Sequence, residues 1–435
     1  MPGPARGPFF SALARVAVDL SPLRASRDLR LLVLGNFITG LGTQATLVAL
    51  PYQLYVQTHS PALTGLLGAV ELGPLVAMSL YGGALADRVD RRRLLLIDQV
   101  ALVAIAAGLS AGALAGHPPL GLLYGLAGLL AGFGAIQNVA RQAIVPNLVA
   151  PEQLRGALAL NFGLYQLTMV IGPGLGGVLI ALTGLPTLYG VDAVSCLGMA
   201  GAVLAMAPQP PAQSTAAHPP IGRSILDGLR FVRSENALLG SFAIDLVAMT
   251  FGMPRALFAV LSLSVYHAGA SGTGALYASV SAGATLAALS TGWLLRVRRL
   301  GRVVICAVIV WGGAIALAGV VTSLWPALVL LALAGAADSV SAVCRSTINQ
   351  LVTPEQMRGR MSSVFSLVVT SGPRFGDVES GTVASLASPR FSVISGGLSC
   401  VLLATLFIGA FPALARYDAA PAHREGEGEP RAVGA

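Results

Sequence analysis

Residues 82–93 read Gly82-Gly83-Ala84-Leu85-Ala86-Asp87-Arg88-Val89-Asp90-Arg91-Arg92-Arg93, with a long apolar run entering and another leaving at Leu94. Within a dozen residues a glycine-lined helix end becomes a dense charge cluster. That pattern predicts a tight cytoplasmic hairpin between two membrane helices. The glycines let backbones approach, Asp87 can sit at a helix N-terminus, and the arginines stay with the inner leaflet.

Composition agrees. The 435 residues are 55% hydrophobic and only 11% charged, against roughly 25% charged in soluble domains. So few charges cannot cover a soluble surface, which points to an integral membrane protein. The 52 glycines stand among apolar residues, as close helix packing requires. Every basic residue is arginine. The net charge of +8 sits in short loops between apolar runs, which fits membrane orientation and excludes nucleic acid as the expected partner. Cys196, Cys306, Cys344 and Cys400 lie in apolar runs without metal-ligand spacing and read as packing residues. Residues 1–30 carry five arginines and no long apolar core, unlike a cleavable signal.

A span needs about 20 apolar residues. Twelve stretches qualify, at 31–56, 64–86, 94–115, 120–141, 157–182, 187–207, 237–264, 273–295, 303–322, 324–347, 361–386 and 391–412. Pro51, Pro74, Pro173, Pro254 and Pro373 predict kinks. The odd-numbered connections hold one arginine, Arg390, while the even-numbered connections and the termini hold most of the rest. Both termini are therefore expected in the cytoplasm. The predicted plan is a lead-in (1–30), a six-helix half (31–207), a proline-rich cytoplasmic linker with an amphipathic helix (208–236), a second six-helix half (237–412) and a disordered tail (413–435).

The halves repeat. Residues 131–156 align with 334–359 at an offset of 203, pairing Pro151-Glu152-Gln153 with Pro354-Glu355-Gln356 and Arg155-Gly156 with Arg358-Gly359. Arg141 and Arg345 match after a one-residue slip. A six-helix unit is even, so both copies enter from the same side: a parallel repeat giving two pseudo-symmetric halves.

Six plus six helices, a parallel repeat, a central linker and a charged 2–3 loop resemble the major facilitator superfamily. Gly83, Leu85, Ala86, Asp87, Arg88, Arg91 and Arg92 match its loop signature, and Asp90 stands where that signature has glycine, as in the enterobactin-exporter-like branch. The equivalent 8–9 loop keeps Gly292, Leu294, Arg298, Arg299 and Arg302, with Arg296 replacing the aspartate. Gly172, Pro173, Gly176 and Gly177 resemble the end of the antiporter motif, and the 372–381 stretch, Gly-Pro-Arg-Phe-Gly-Asp-Val-Glu-Ser-Gly, looks like the same branch. The resemblance implies proton-coupled export of a hydrophobic, siderophore-like or drug-like small molecule by alternating access. It also implies a gating role for the loop, with Asp87 capping the cytoplasmic end of span eleven. Proton-independent uptake and a non-transporting receptor or scaffold are the competing readings. No enzyme motif, cofactor site or metal site is expected; the partners are substrate, protons and the bilayer, in a monomer.

Ionisable side chains inside spans cost about 3 kcal/mol on insertion scales and mark functional sites. The candidates are Glu71, Asp245, Arg255, Asp338, Arg374, Asp377 and Glu379. All five histidines fall in loops, linker or tail, so carboxylates must carry any protons. Arg374 and Asp377 share a helix face and can neutralise each other, while Glu379 points elsewhere; a static packing network is the alternative. Asp338 either serves the cavity or pairs with Arg345. Glu71 and Arg255 either pair across the halves or are satisfied within their own. The glycines of span five permit a bend and close approach to the other half, or serve ordinary packing. Asn36, Gln44, Gln137, Asn138 and Gln166 are expected to offer hydrogen bonds to the cavity, and Asp192 is placed close to the outer surface.

Overall fold

The computed structural model describes residues 21–86, 89–209 and 221–418, which are helical, with no strand among them. In order they form α1 (Arg27–Thr58), α2 (Pro61–Ala86), α3 (Arg91–Leu114), α4 (Leu120–Ile144), α5 (Leu154–Thr183), α6 (Leu185–Leu204), α7 (Ile221–Ser234), α8 (Asn236–Phe251), α9 (Leu257–Ser264), α10 (Gly269–Leu289), α11 (Leu300–Val320), α12 (Leu324–Val352), α13 (Arg358–Leu386) and α14 (Pro389–Ala410). The lead-in to residue 20, Asp87, Arg88, most of the proline-rich linker and the tail from 419 lie outside the described residues.

Among the described residues nine helices are long and apolar enough to cross a membrane. The shorter α8 is also apolar. α13 carries Arg374, Asp377 and Glu379 within its length. Buried apolar side chains between 29 and 206 form two clusters, one of which also takes in Ala270, and those between 232 and 415 form a third. Helices from the two stretches meet in two long antiparallel pairs, α2 with α13 and α5 with α10.

One expectation changes. The span at 237–264 is not a kinked helix but a broken one, α8 and α9 separated by Gly252–Ala256. Pro254 supplies no N–H and disfavours helix in the residue before it. A backbone left unpaired at membrane depth must be satisfied by neighbours. Here Trp311 Nε1 donates to the Gly252 carbonyl at 2.8 Å, Tyr277 Oη donates to the Arg255 carbonyl at 2.9 Å, and the Ala256 N–H donates to Asp377 Oδ1 at 2.9 Å.

The decisive loop is tied down at its described end. Asp90 is the N-cap of α3, accepting from the N–H groups of Arg92 (2.8 Å) and Arg93 (3.2 Å), and it also accepts from the Gln209 N–H at 3.1 Å. That explains an aspartate where the resembling signature has glycine. Arg92 donates to the carbonyls of Val203 and Leu204 at the end of α6, at 2.9 and 2.6 Å. The amphipathic helix α7 docks on the start of α13, with Asp227 bridging to Arg360 at 3.2 Å.

Candidate functional site

The candidate residues gather into two charge clusters. The first lies between α2 and α13. Their antiparallel register sets Ala62 opposite Ser385, Gly65 opposite Gly381 and Glu71 opposite Arg374: the Ala62 N–H donates to Ser385 Oγ at 2.8 Å, and the two glycine backbones touch. Glu71 Oε2 pairs with Arg374 Nη2 at 2.9 Å, both side chains largely buried. This corrects the expected pairings. Glu71 does reach across to the second stretch of helices, but its partner is Arg374, not Arg255, because the α2–α13 register brings residue 374 and not 255 to its level. Asp377 lies within electrostatic reach of Arg374 without meeting it in an ion pair; it is buried and holds the Ala256 N–H at the helix break. Arg255 has no ion pair among the described residues and lies within electrostatic reach of Asp377, Asp338 and Tyr165. Glu379 is half-buried and likewise has no ion-pair partner there.

The second cluster joins α8 to α12. Arg345 Nη2 lies 2.7 Å from Asp245 and 3.6 Å from Asp338, and its Nη1 donates to Ser341 Oγ at 2.8 Å. Of the two readings open for Asp338, pairing with Arg345 is present, and Asp245 makes the tighter contact. Arg345→Ala would leave Asp245 and Asp338 without their counter-charge. Losing one partner of a buried pair costs about 3–5 kcal/mol. We therefore expect a steep drop in the thermal stability of the detergent-solubilised protein, measured by size-exclusion after heating, and substantial recovery in Asp245→Asn/Arg345→Gln/Asp338→Asn.

The glycines of α5 do two jobs. A Cβ on Gly172 would lie 2.6 Å from Gln44 Cβ, and one on Gly176 would lie 2.7 Å from Ala45 Cα, so both seat α5 on α1. A Cβ on Gly177 would lie 2.9 Å from Gly274 Cα, so this glycine seats α5 on α10. Pro173 lies inside α5 without breaking it. Gln166 Nε2 donates to Thr285 Oγ1 across the same pair at 3.4 Å. Gly83 lies on α2, Arg91 is buried at the start of α3, and Asp87 and Arg88 fall outside the described residues.

Two buried acids were not anticipated. Asp192, expected near the outer surface, is 2% exposed and accepts from Thr46 Oγ1 at 2.6 Å. Asp98, 1% exposed, accepts from Gln99 Nε2 at 3.2 Å. Its place near the start of a span reads as an interfacial charge; Asp98-Gln99, two adjacent polar residues inside an apolar run, was the available signal. Asn36 is buried with Nδ2 unpartnered, while Asn138 is exposed and accepts from Arg141 Nη2 at 2.9 Å. No group of His, Cys, Asp and Glu that could hold a metal occurs among the described residues.

Apolar helices of membrane length carrying buried, paired charges across helix contacts define a polytopic membrane transporter. The model of the transmembrane secretion effector family matches residues 17–430, and the chain belongs to that family within the major facilitator superfamily. The chain is 30% identical over 407 residues to the enterobactin exporter EntS of Shigella boydii serotype 4 (strain Sb227) and to that of Citrobacter koseri, covering 93% of this chain and 96% of each relative. Among solved structures it is similar to the nucleoside transporter NupG (TM-score 0.71, 12% identity, 88% of this chain and 99% of that one). It is also similar to an inward-facing, unoccupied bacterial homologue of the human lysosomal transporter Spinster (TM-score 0.68, 14% identity, 89% and 95%). The protein is thus a multi-pass membrane transporter of the efflux type, not an enzyme.

Proposed function

We propose that this chain exports a hydrophobic, siderophore-like or drug-like small molecule by alternating access, driven by inward proton flow. In this reading twelve spans form two six-helix halves, 31–207 and 237–412, joined by the 208–236 linker, in a monomer of the inner or plasma membrane with both termini cytoplasmic. Span seven is then the broken pair α8 and α9. The observation that carries the reading is where the ion pair and the closest backbone contacts between halves fall, Gln166–Thr285 at 3.4 Å being a longer contact on the other side of mid-helix. Glu71–Arg374, Gly65–Gly381 and Gly177–Gly274 all lie toward the ends of their helices that join the arginine-poor connections, which the positive-inside rule puts outside. The halves are thus clasped on the outer side, an arrangement that must open to release cargo outward. The enterobactin exporters among its relatives support export and the siderophore-like class.

Glu379, without an ion-pair partner among the described residues, and Asp338, the more exposed acid of the Arg345 cluster, are the carboxylates we assign to proton coupling. Glu71, Asp245 and Asp377 hold structure or clasp. Inverted membrane vesicles with an imposed pH gradient and a pH-sensitive dye test the proposal. A compound whose entry dequenches the dye, with the effect abolished by an uncoupler and lost in Glu379→Gln, is the expected result. Substrate accumulation untouched by the uncoupler would remove proton coupling. For the loop, Asp87→Asn is expected to insert normally and lower this transport severalfold; unchanged transport removes the gating role of Asp87.

A further inference from the structure

A groove of about 640 Å³ runs along the seam of α1 and α6, on a face that neither α2–α13 nor α5–α10 uses. Its walls are apolar: Leu34, Ile38 and Val194 are each more than half exposed. Its floor includes Gly198, where an added Cβ would meet nothing within 4 Å. Only one end is charged. Arg27 and Arg30, one turn apart on α1, stand there exposed and without an ion pair among the described residues. From Arg27 to Ile38 the helix rises about 16 Å at 1.5 Å per residue.

The repeat shows that this groove is not an inevitable product of the fold. Aligning the N-caps of α1 (Ser26) and α8 (Glu235) superimposes Leu29, Leu32, Val33 and Asn36 on Leu238, Ser241, Phe242 and Asp245, every one of them buried. In that register Asn236 and Leu239 replace Arg27 and Arg30, and Gly240 replaces Leu31. Gly240 packs beneath Phe411 and Leu414. The second copy is therefore plugged and uncharged at the positions where the first is open and doubly cationic.

A cationic rim above an apolar channel matches an anionic amphiphile. Guanidinium groups bind phosphate through paired, charge-assisted hydrogen bonds, and basic residues at the cytoplasmic surface attract anionic lipid. We propose that this groove holds one anionic phospholipid of the cytoplasmic leaflet, its phosphate on Arg27 and Arg30 and an acyl chain along Leu34, Ile38 and Val194. The leaflet rests on the topology proposed above; the lipid chemistry does not.

The test is native mass spectrometry of the full chain in detergent, offered equimolar phosphatidylglycerol and phosphatidylcholine with identical acyl chains. Roughly tenfold preferential retention of phosphatidylglycerol is expected, falling to near parity in Arg27→Gln/Arg30→Gln. Gly198→Leu, which fills the channel and leaves both arginines in place, should also remove the retained phosphatidylglycerol. Equal retention of the two lipids by the unaltered chain, or undiminished preference in the double variant, overturns the proposal. So does a dimer abolished by Gly198→Leu, which gives the groove to a second copy. Binding that emerges only after deletion of residues 1–20 would give it to the N-terminal segment and overturn the proposal too. The leaflet is read separately, from labelling of Arg24→Cys in a Cys306→Ala background by an impermeant maleimide. Labelling from the outside with lipid preference intact overturns the topology alone and moves the lipid to the other leaflet.

Discussion

Reversing either charge of the Glu71–Arg374 pair is expected to abolish export, and reversing both to restore it. Glu71→Arg sets two guanidinium groups against each other at a contact of 2.9 Å between side chains that are 6% and 18% exposed. Arg374→Glu does the same with carboxylates. Removing one partner of a buried pair costs about 3–5 kcal/mol because the other charge stays behind unpaired, and a like charge adds repulsion. That cost falls on the arrangement in which α2 and α13 are clasped, so the singles shift the protein away from it, toward the outer-open form of the proposed cycle. In Glu71→Arg/Arg374→Glu the pair re-forms with reversed polarity. The measurement is dye-linked export in inverted vesicles, normalised to membrane-inserted protein. A double variant as inactive as the singles would show that each side chain acts on its own.

The second large effect belongs to the glycines of the other contact. Gly177→Val would press a Cβ to 2.6 Å from the Ala270 carbonyl oxygen and 2.9 Å from Gly274 Cα, and both neighbours are backbone that cannot turn aside. Overpacking costs about 1–3 kcal/mol, a population shift of roughly five- to 150-fold against the clasped arrangement. Export is expected to fall by a comparable factor, with the protein still inserted and with faster labelling of a cysteine placed at Thr273, which is buried in this arrangement. Gly201→Val, where an added Cβ is unopposed, serves as the matched control and should leave export unchanged.

Helical class and the places of most helices were legible because each follows from local composition: apolar runs and the breaks between them. The partners of the buried charges were not. A helical wheel puts Arg374 beside Asp377 on one face, but the register between α2 and α13, which are far apart in sequence, decides that Arg374 meets Glu71. Pro254 announces a disturbed helix; it does not announce that Asp377, more than a hundred residues later, will receive the freed Ala256 N–H. Asp98 was overlooked because a charge near the start of a span has the same local pattern whether it reaches the interface or turns inward. The α5 glycines carried two readings in the sequence and perform both, Gly172 and Gly176 against α1 and Gly177 against α10.

In the proposed alternating-access cycle the ends of α2 and α13 that join the arginine-poor connections part each time, and a reversible staple tests this directly. Ala62 and Ser385 are joined by a hydrogen bond of 2.8 Å, close enough for Ala62→Cys/Ser385→Cys to form a disulfide once the exposed Cys306 is replaced. Oxidation should cross-link the pair and stop export of the compound identified in vesicles, and a reductant should restore it. Full cross-linking with export undiminished would contradict a cycle in which these ends separate.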